Sequence, residues 1–225
     1  MIKLENVVKK YDKITALDNF NLQVKAGEFI TLVGPSGAGK STLIRLLIAE
    51  EKPTSGRVIV ADRDITTLKS KELPFYRRKI GVIFQDFRLL SQKTVYENVA
   101  FALEVCDATP SEIGLRVPKI LEMVGLNKKK SRYPKELSGG EQQRVAIARS
   151  LVHSPKILIA DEPTGNLDPV NTWEIMELLY RINRSGTIVM LATHNKIVVD
   201  RLKKRVVLIK NGKVISDEEK GKYLI

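Results

Sequence analysis

Residues 34–41 read GPSGAGKS, which is the pattern G-x-x-x-x-G-K-S. The preceding run 29–33 is apolar enough for a buried strand, and residues 41–48 have the length and apolar content of a helix. Between a strand and a helix, such a loop directs its backbone N–H groups at phosphate oxygens, whereas a glycine-rich turn with a chance Lys-Ser pair would lack these flanks. The sequence therefore predicts a phosphate-binding loop in an α/β fold. Lys40 is expected near the β- and γ-phosphates of a nucleotide, and Ser41 as a Mg²⁺ ligand.

Two adjacent carboxylates, Asp161 and Glu162, follow the apolar run 157–160 directly. Pro163 cannot continue a strand ladder, so both acids are expected at the carboxyl end of the strand, where open α/β sheets bind ligands. The structural alternative is that one acid caps a helix while the other is solvated. We predict that Asp161 holds Mg²⁺ through water and that Glu162 orients and polarises the attacking water.

The segment 137–144 reads LSGGEQQR and contains an S-x-x-E capping box, formed by Ser138 and Glu141, ahead of a helical run. A capping box does not explain Gly139 and Gly140, because each glycine in a first turn costs about 0.5 to 1 kcal/mol relative to alanine. Paired glycines at a helix N-terminus do let the backbone approach a phosphate closely. We therefore interpret this segment as a second phosphate-binding element.

Strand-like and helix-like segments alternate along the rest of the chain. Residues 1–33 have the period of short strands broken by turns, and residues 87–150 have helical periodicity with few strand-like runs. The other predicted elements are strands at 57–61, 79–85, 157–160, 187–193 and 206–209, and a helix at 172–183. Such alternation indicates a largely parallel sheet covered on both faces.

The chain has 225 residues, a net charge of +12 and one cysteine, Cys106. This length suits one compact domain, and a single cysteine excludes an internal disulfide framework, so a reducing compartment is expected. The apolar runs are far shorter than the roughly 18 to 20 residues of a membrane span, and the N-terminus does not have the pattern of a signal peptide. The basic clusters at 128–130 and 201–205 contain no interleaved aromatic residues, which predicts solvated faces and no nucleic-acid partner.

The order of these motifs resembles that of the ATP-binding cassette (ABC) ATPases, in which Leu-Ser-Gly-Gly-Glu-Gln lies between a P-loop and a strand that ends in Asp-Glu. The resemblance covers nearly the whole chain. It implies an α/β fold of the P-loop NTPase class, with a mainly parallel core sheet, an N-terminal antiparallel β-subdomain and an inserted helical subdomain. Residues 1–225 would form one ABC ATPase domain, with 1–86 and 151–225 as the RecA-like core and β-subdomain, and 87–150 as the helical signature subdomain.

The same resemblance implies ATP as substrate, Mg²⁺ as cofactor, and a head-to-tail homodimer in which the signature of one subunit closes on the γ-phosphate held by the other. Tyr11 would stack on adenine, Gln85 would contact Mg²⁺ and sense the partner, and His194 would contact the γ-phosphate and steady Glu162. Taken singly, Tyr11 could be an ordinary strand aromatic and His194 a polar residue at a strand end. The expected nucleotide-binding residues are Tyr11, Gly34, Pro35, Ser36, Gly37, Ala38, Gly39, Lys40, Ser41, Thr42, Gln85, Ser138, Gly139, Gly140 and Glu141, with Ser41, Gln85 and Asp161 at the metal and Lys40, Glu162 and His194 in catalysis.

Within that family, residues 73–90 and 93–99 are similar to the FtsE family of cell-division ATPases, most clearly in QDFRLL at 85–90. The segment 168–176 also looks like the Gram-positive members. In ABC proteins the region around 85–90 forms the cleft that receives a cytoplasmic helix of the membrane subunit. The similarity implies a bacterial protein at the cytoplasmic face of the membrane, bound through Gln85–Leu90 to an integral membrane protein resembling FtsX, and acting indirectly on a peptidoglycan hydrolase.

Three other functions match parts of the pattern. The nearest is the ATPase subunit of a lipoprotein-release or macrolide-type exporter, which shares the nucleotide motifs and differs at the partner cleft. A DNA-repair or chromosome-organising ATPase would have a long coiled coil between P-loop and signature, but Leu137 follows Ser41 by only 96 positions and no sustained heptads occur. A non-catalytic scaffold is disfavoured by the intact P-loop, acid pair and histidine.

Overall fold

The structure, a computed structural model, describes residues 1–223. Its strands are β1 (Ile2–Tyr11), β2 (Ile14–Val24), β3 (Phe29–Val33), β4 (Ser55–Val60), β5 (Arg63–Asp64), β6 (Ile80–Ile83), β7 (Ile157–Asp161), β8 (Ile188–Ala192), β9 (Arg205–Lys210) and β10 (Lys213–Glu218). Its helices are α1 (Lys40–Leu47), α2 (Leu73–Arg77), α3 (Val95–Glu104), α4 (Pro110–Met123), α5 (Gly139–Leu151), α6 (Pro169–Arg184) and α7 (Lys196–Leu202). Among the described residues, no helix combines the length and hydrophobicity that a membrane crossing requires.

The N-terminal strands form an antiparallel sheet with the order β2-β1-β4-β5. In β2, buried Phe20, Leu22 and Val24 alternate with exposed Asn21 and Gln23, which is the two-residue period of a strand with one buried face. That face packs with α1 and the core sheet in one hydrophobic cluster. The predicted antiparallel N-terminal part of the fold is therefore confirmed.

The core sheet has six strands in the order β10-β9-β3-β8-β7-β6. The five strands β9, β3, β8, β7 and β6 form four pairings, all of them parallel, whereas β10 is an antiparallel edge strand. Every residue of β3 and β8 is buried, because helices cover both faces of a parallel sheet. The predicted, mainly parallel core is confirmed.

The hairpin of β9 and β10 and helices α2 and α7 were not among the predicted elements. Between β9 and β10, Asn211 and Gly212 have φ of 51° and 72°. An Asn-Gly pair in this left-handed conformation is the usual two-residue hairpin connection. The sequence thus contained a signal for β10 that the charged, half-exposed strand itself obscures.

Helices α3, α4 and α5 lie within residues 95–151 and share one buried apolar cluster, to which Val99, Leu103, Leu121 and Val145 contribute. Each helix begins with a reciprocal capping box, and the pairs are Thr94 with Glu97, Thr109 with Glu112, and Ser138 with Glu141. These caps satisfy backbone N–H groups that would otherwise lack partners at the three helix starts.

Asn98 on α3 holds the loop that follows β6. Its side chain is fully buried and accepts a hydrogen bond from Leu90 N (2.8 Å). Its amide group donates to the carbonyl oxygens of Leu90 (3.0 Å), Lys93 (2.9 Å) and Thr94 (3.0 Å). One side chain therefore replaces water for four backbone groups and fixes the path of the loop.

We expect Asn98→Ala to lower the free energy of unfolding by about 2 to 3 kcal/mol, since it removes the partner of the Leu90 N–H and of the Lys93 carbonyl and leaves the carbonyls of Leu90 and Thr94 with only their backbone partners. Denaturant titration measures the loss. The matched control is Asn127→Ala at an exposed asparagine, for which a change within about 0.5 kcal/mol is expected. Equal losses in both variants would contradict the role assigned to Asn98.

Candidate functional site

A cavity of about 590 Å³ lies where the loops after β3, β6, β7 and β8 meet. It is lined by residues 34–42, Gln85, Asp161, Glu162 and His194. The carboxyl ends of neighbouring parallel strands share one edge of a sheet, so loops that are distant in sequence converge there. The structure thus brings together the predicted phosphate loop, both predicted acids and the predicted glutamine and histidine.

The glycine loop has a backbone that other residues could not adopt. Gly39 begins α1 with a φ of 109°, and a Cβ atom there would lie 2.6 Å from the carbonyl oxygen of Ala16. The loop curls around the Lys40 ammonium, which donates hydrogen bonds to the carbonyls of Gly34 (2.6 Å) and Pro35 (3.1 Å). Lys40 is thereby held inside the loop, ahead of the first turn of α1.

Opposite charges face each other across this cavity. Burial lowers the pKa of the Lys40 ammonium, and the carboxylates of Glu162 and Asp161 oppose that shift. Burial and the neighbouring Glu162 carboxylate raise the pKa of Asp161, and the Lys40 charge opposes this shift in turn. The two acids repel each other, and nearby cations, Lys40 first and then Arg45 and Arg88, offset that repulsion at Asp161.

Glu162 has a backbone φ of 47°, which is the left-handed region and is uncommon for glutamate. Its N–H donates to the carbonyl of Ala192 at the end of β8 (2.9 Å). This bond holds the turn between β7 and Pro163 against the neighbouring strand. Strain of this kind persists only where surrounding contacts impose it, which is typical of functional sites.

His194 contacts the Glu162 carboxylate in two ways. Its ring Nδ1 lies 2.7 Å from Oε1, and its backbone N–H donates to Oε2 at 3.4 Å. The histidine side chain is 68% exposed, whereas the glutamate side chain is 14% exposed. The carboxylate is therefore fixed from the β8 side by a ring that is itself accessible from the cavity.

Tyr11, predicted to stack on adenine, is not among the residues that line the cavity. It ends β1, its hydroxyl donates to the carboxylate of Glu51, and the Lys9 ammonium lies 4.9 Å from its ring centroid. These contacts account for Tyr11 within the β-sheet, and its adenine role stays a prediction.

The signature residues 138–141 also lie outside this cavity, at the N-terminus of α5. The capping box is formed, and the Glu141 carboxylate additionally accepts from the Lys129 ammonium. A Cβ on Gly140 would lie 2.0 Å from Asn171 Oδ1, so packing against α6 explains this glycine. A Cβ on Gly139 would make only ordinary van der Waals contacts, at 3.5 Å from Leu167, 3.9 Å from Asn166 and 4.0 Å from Phe87. Packing against the Asn171 side chain therefore favours glycine at position 140, whereas packing does not require glycine at position 139.

Two cavity residues were missed by sequence reasoning. Ala16 on β2 and Tyr223 near the C-terminus both line the cavity. The Tyr223 N–H donates to Asp200 Oδ1 (2.8 Å), and its side chain packs on the cluster that contains Val199 and Val206. Burial and the nearby Glu162 carboxylate raise the pKa of the Tyr223 phenol. No local motif marks either residue, because both reach the cavity through tertiary packing.

The predicted solvated face at 201–205 is confirmed for Arg201 and Lys203, which are exposed, and is wrong for Arg205, whose side chain is 15% exposed. In space, the Arg201 guanidinium lies 4.1 Å from the ring centroid of Trp173, and the Lys204 ammonium lies 4.7 Å from that of Tyr180. Arg205 forms salt bridges with acids of other elements. Both rings belong to α6, which is distant in sequence. The absence of aromatic residues within 201–205 therefore could not predict these contacts.

The donors in the cavity fit a magnesium nucleotide. Ser41, Gln85 and Asp161 offer a hydroxyl, an amide and a carboxylate oxygen, which are the hard ligands that Mg²⁺ takes together with substrate phosphates. The loop at 34–42 supplies backbone N–H groups and the Lys40 charge for those phosphates. Arranged in this way, the cavity can bind a nucleoside triphosphate and present Glu162 to its terminal phosphate.

Known proteins are similar to this chain along almost its whole length. A sequence profile described as "ABC transporter" matches residues 17–165. The "Cell division ATP-binding protein FtsE" of Bacillus subtilis is 53% identical over 224 residues, covering 99% of this chain and 98% of that protein. The protein of the same name from Streptococcus pneumoniae is 54% identical over 224 residues, with 99% and 97% covered. The solved structure of a dimeric ATP-binding cassette in a post-hydrolysis state, bound to ADP and Pi, has a TM-score of 0.88 and 38% identity, with 99% of this chain and 100% of that chain covered.

We expect Lys40→Ala to weaken ATP binding at least tenfold, because it removes a charge-assisted contact from the phosphate loop. Titration with a fluorescent ATP analogue measures the dissociation constant. Lys119→Ala removes an exposed lysine of α4 and serves as the charge-matched control, with affinity unchanged. Wild-type affinity in Lys40→Ala would contradict the predicted phosphate loop.

Proposed function

The chain belongs to the ABC transporter family of ATP-binding cassettes, and we propose that it is the ATP-hydrolysing subunit of an FtsE-type complex in cell division. FtsE proteins of two bacteria match it along almost its whole length. A structural relative at 38% identity holds ADP and Pi, the products of ATP hydrolysis. The observation that carries the activity is the contact of Glu162 with His194 in the same cavity as the phosphate loop.

Different residues of this chain perform the separate steps of ATP hydrolysis. The loop at 34–42 and Lys40 bind and orient the phosphates of ATP. Glu162 orients the attacking water and polarises it, and His194 keeps the carboxylate in position through its ring and backbone N–H. Ser41, Gln85 and Asp161 would hold Mg²⁺, which would neutralise charge on the phosphates when bound. Tyr223 and Ala16 form further parts of the cavity wall.

A second copy of the chain completes the site. The signature residues 138–141 do not line the cavity of their own chain, and Gly139 is a glycine that close packing does not require. In a head-to-tail homodimer, the N-terminus of α5 from one copy faces the γ-phosphate bound by the other. The dimeric form of the structural relative supports this arrangement. ATP binding then closes the dimer, and hydrolysis reopens it.

The membrane partner binds near Gln85–Leu90, in the cleft between the core and the helical segment. The guanidinium of Arg149 on α5 donates to the carbonyls of Arg88 (2.6 Å) and Phe87 (2.9 Å), and burial lowers its pKa. This fork fastens the cleft to the signature helix, while Gln85 lies at the cavity. A movement of the cleft is therefore transmitted both to the nucleotide cavity, through Gln85, and to the signature helix α5, through Arg149.

The partner in this proposal is an integral membrane protein resembling FtsX, which places the chain at the cytoplasmic face of a bacterial membrane. ATP-driven closure of the dimer changes the state of that partner, which in turn regulates a peptidoglycan hydrolase. The helical part at residues 87–150 acts as the movable signature unit against the core formed by 1–86 and 151–225. The similarity to proteins named for cell division supports this assignment over an exporter.

We expect Glu162→Gln to bind ATP with nearly wild-type affinity and to reduce turnover at least 100-fold, because the amide cannot polarise water as the carboxylate does. Phosphate release measures turnover, and sedimentation with ATP and Mg²⁺ measures accumulation of the dimer. Glu122→Gln, an isosteric change at an exposed glutamate of α4, should retain full turnover. Wild-type turnover in Glu162→Gln would overturn the assignment.

A further inference from the structure

A basic groove of about 580 Å³ lies between α6 and the end of α7. We call it the α6–α7 groove and define its polar lining as Arg181, Arg201, Lys203, Lys204 and Glu177. The four cations and one acid give it a local charge of about +3. Within residues 1–223, none of the four cations forms a salt bridge.

Two of these cations are held in place by aromatic rings. Arg201 lies over Trp173 at 4.1 Å and Lys204 lies over Tyr180 at 4.7 Å, measured to the ring centroids. Long basic side chains lose much rotamer freedom when they bind a ligand. Because the rings already restrict these two, the groove is partly organised for an anion before one arrives.

The groove opens away from the nucleotide cavity. Lys204 immediately precedes β9, and Arg181 lies near the end of α6, shortly before β8. The groove is thus at the amino ends of the parallel strands, whereas the nucleotide cavity is at their carboxyl ends. A ligand can therefore occupy the groove while ATP is bound in the nucleotide cavity and a second copy of the chain covers that cavity.

We propose that the α6–α7 groove is a docking site for an acidic peptide segment of a protein partner. Arginine forks such as Arg201 and Arg181 match carboxylates in a two-point geometry, and three or four carboxylates would neutralise the groove. The partner is distinct from the membrane subunit, which binds at Gln85–Leu90. This inference does not depend on the cell-division assignment.

Two other classes of anion suit the groove less well. Single-stranded nucleic acid gains most of its sequence-tolerant affinity by stacking bases on open aromatic faces, but here Arg201 and Lys204 each cover a ring face. A bilayer presents a broad surface rather than a segment that enters a groove, and four cations at its surface give only roughly millimolar affinity. A flexible acidic segment can enter the groove and reach all four cations.

The test uses a hexapeptide of alternating Asp and Glu, titrated into the full chain at physiological salt. Trp173 is the only tryptophan of the sequence and lines the groove, so its fluorescence reports occupancy directly. We expect saturable binding that is tighter than millimolar, because the arginine forks add charge-assisted hydrogen bonds to the net attraction, and no response to the Asn-Gln counterpart. The double variant Arg201→Glu/Lys204→Glu should weaken binding at least tenfold, with unchanged ATPase activity.

The control Lys128→Glu/Lys130→Glu makes the same change in net charge at the other basic cluster and should alter peptide affinity less than twofold. The milder pair Arg201→Gln/Lys204→Gln repeats the test if the first variant unfolds. Vesicles with one-third phosphatidylserine and a dT12 oligonucleotide are titrated in parallel. The proposal would be overturned if vesicles or dT12 bound more tightly than the peptide and the groove variant lost that binding. Equal losses of peptide affinity in Arg201→Glu/Lys204→Glu and in Lys128→Glu/Lys130→Glu would also overturn it.

Discussion

The Glu162 carboxylate depends on contacts from three different strands, and the arrangement of the active site follows from keeping it in place. It lies beside a second acid, Asp161, at the end of β7, and the Lys40 charge after β3 offsets their repulsion. From β8, the Ala192 carbonyl holds its backbone and His194 holds its carboxylate. Only a parallel sheet brings these strand ends to one edge. The fully buried β3 and β8, covered by helices on both faces, thus provide the support for a polar site.

The two edges of that sheet have separate roles. The carboxyl edge holds the nucleotide cavity, and the hydrogen bonds of Arg149 link the loop after Gln85, where we propose the partner cleft, to the signature helix. The amino edge holds the α6–α7 groove with its basic side chains. Helix α6 lies between both sites, because Asn171 in its first turn packs against Gly140 while residues from Trp173 to Arg181 line the groove.

Local motifs made most of the active site predictable. The glycine loop, the acids after an apolar run and the capping box of α5 are encoded by neighbouring residues, and the structure has each where the sequence indicated. Contacts between distant segments were not predictable. Tyr223 reaches the cavity by packing on Val199 and Val206, and Trp173 and Tyr180 meet basic residues more than 20 positions away. Gly140 shows the same limit, since its partner Asn171 cannot be identified from the motif alone.

The most direct measurement is to capture the chain from gently solubilised membranes of its native host, with ATP and Mg²⁺ present and hydrolysis blocked at Glu162, and to identify what co-purifies. We expect a small integral membrane protein with one large extracytoplasmic domain, accompanied by a cell-wall hydrolase. A substitution of the cleft-holding Arg149 should release that protein while nucleotide binding is retained. Recovery of a permease of the lipoprotein-release or macrolide type, or of nucleic acid alone, would contradict the cell-division function.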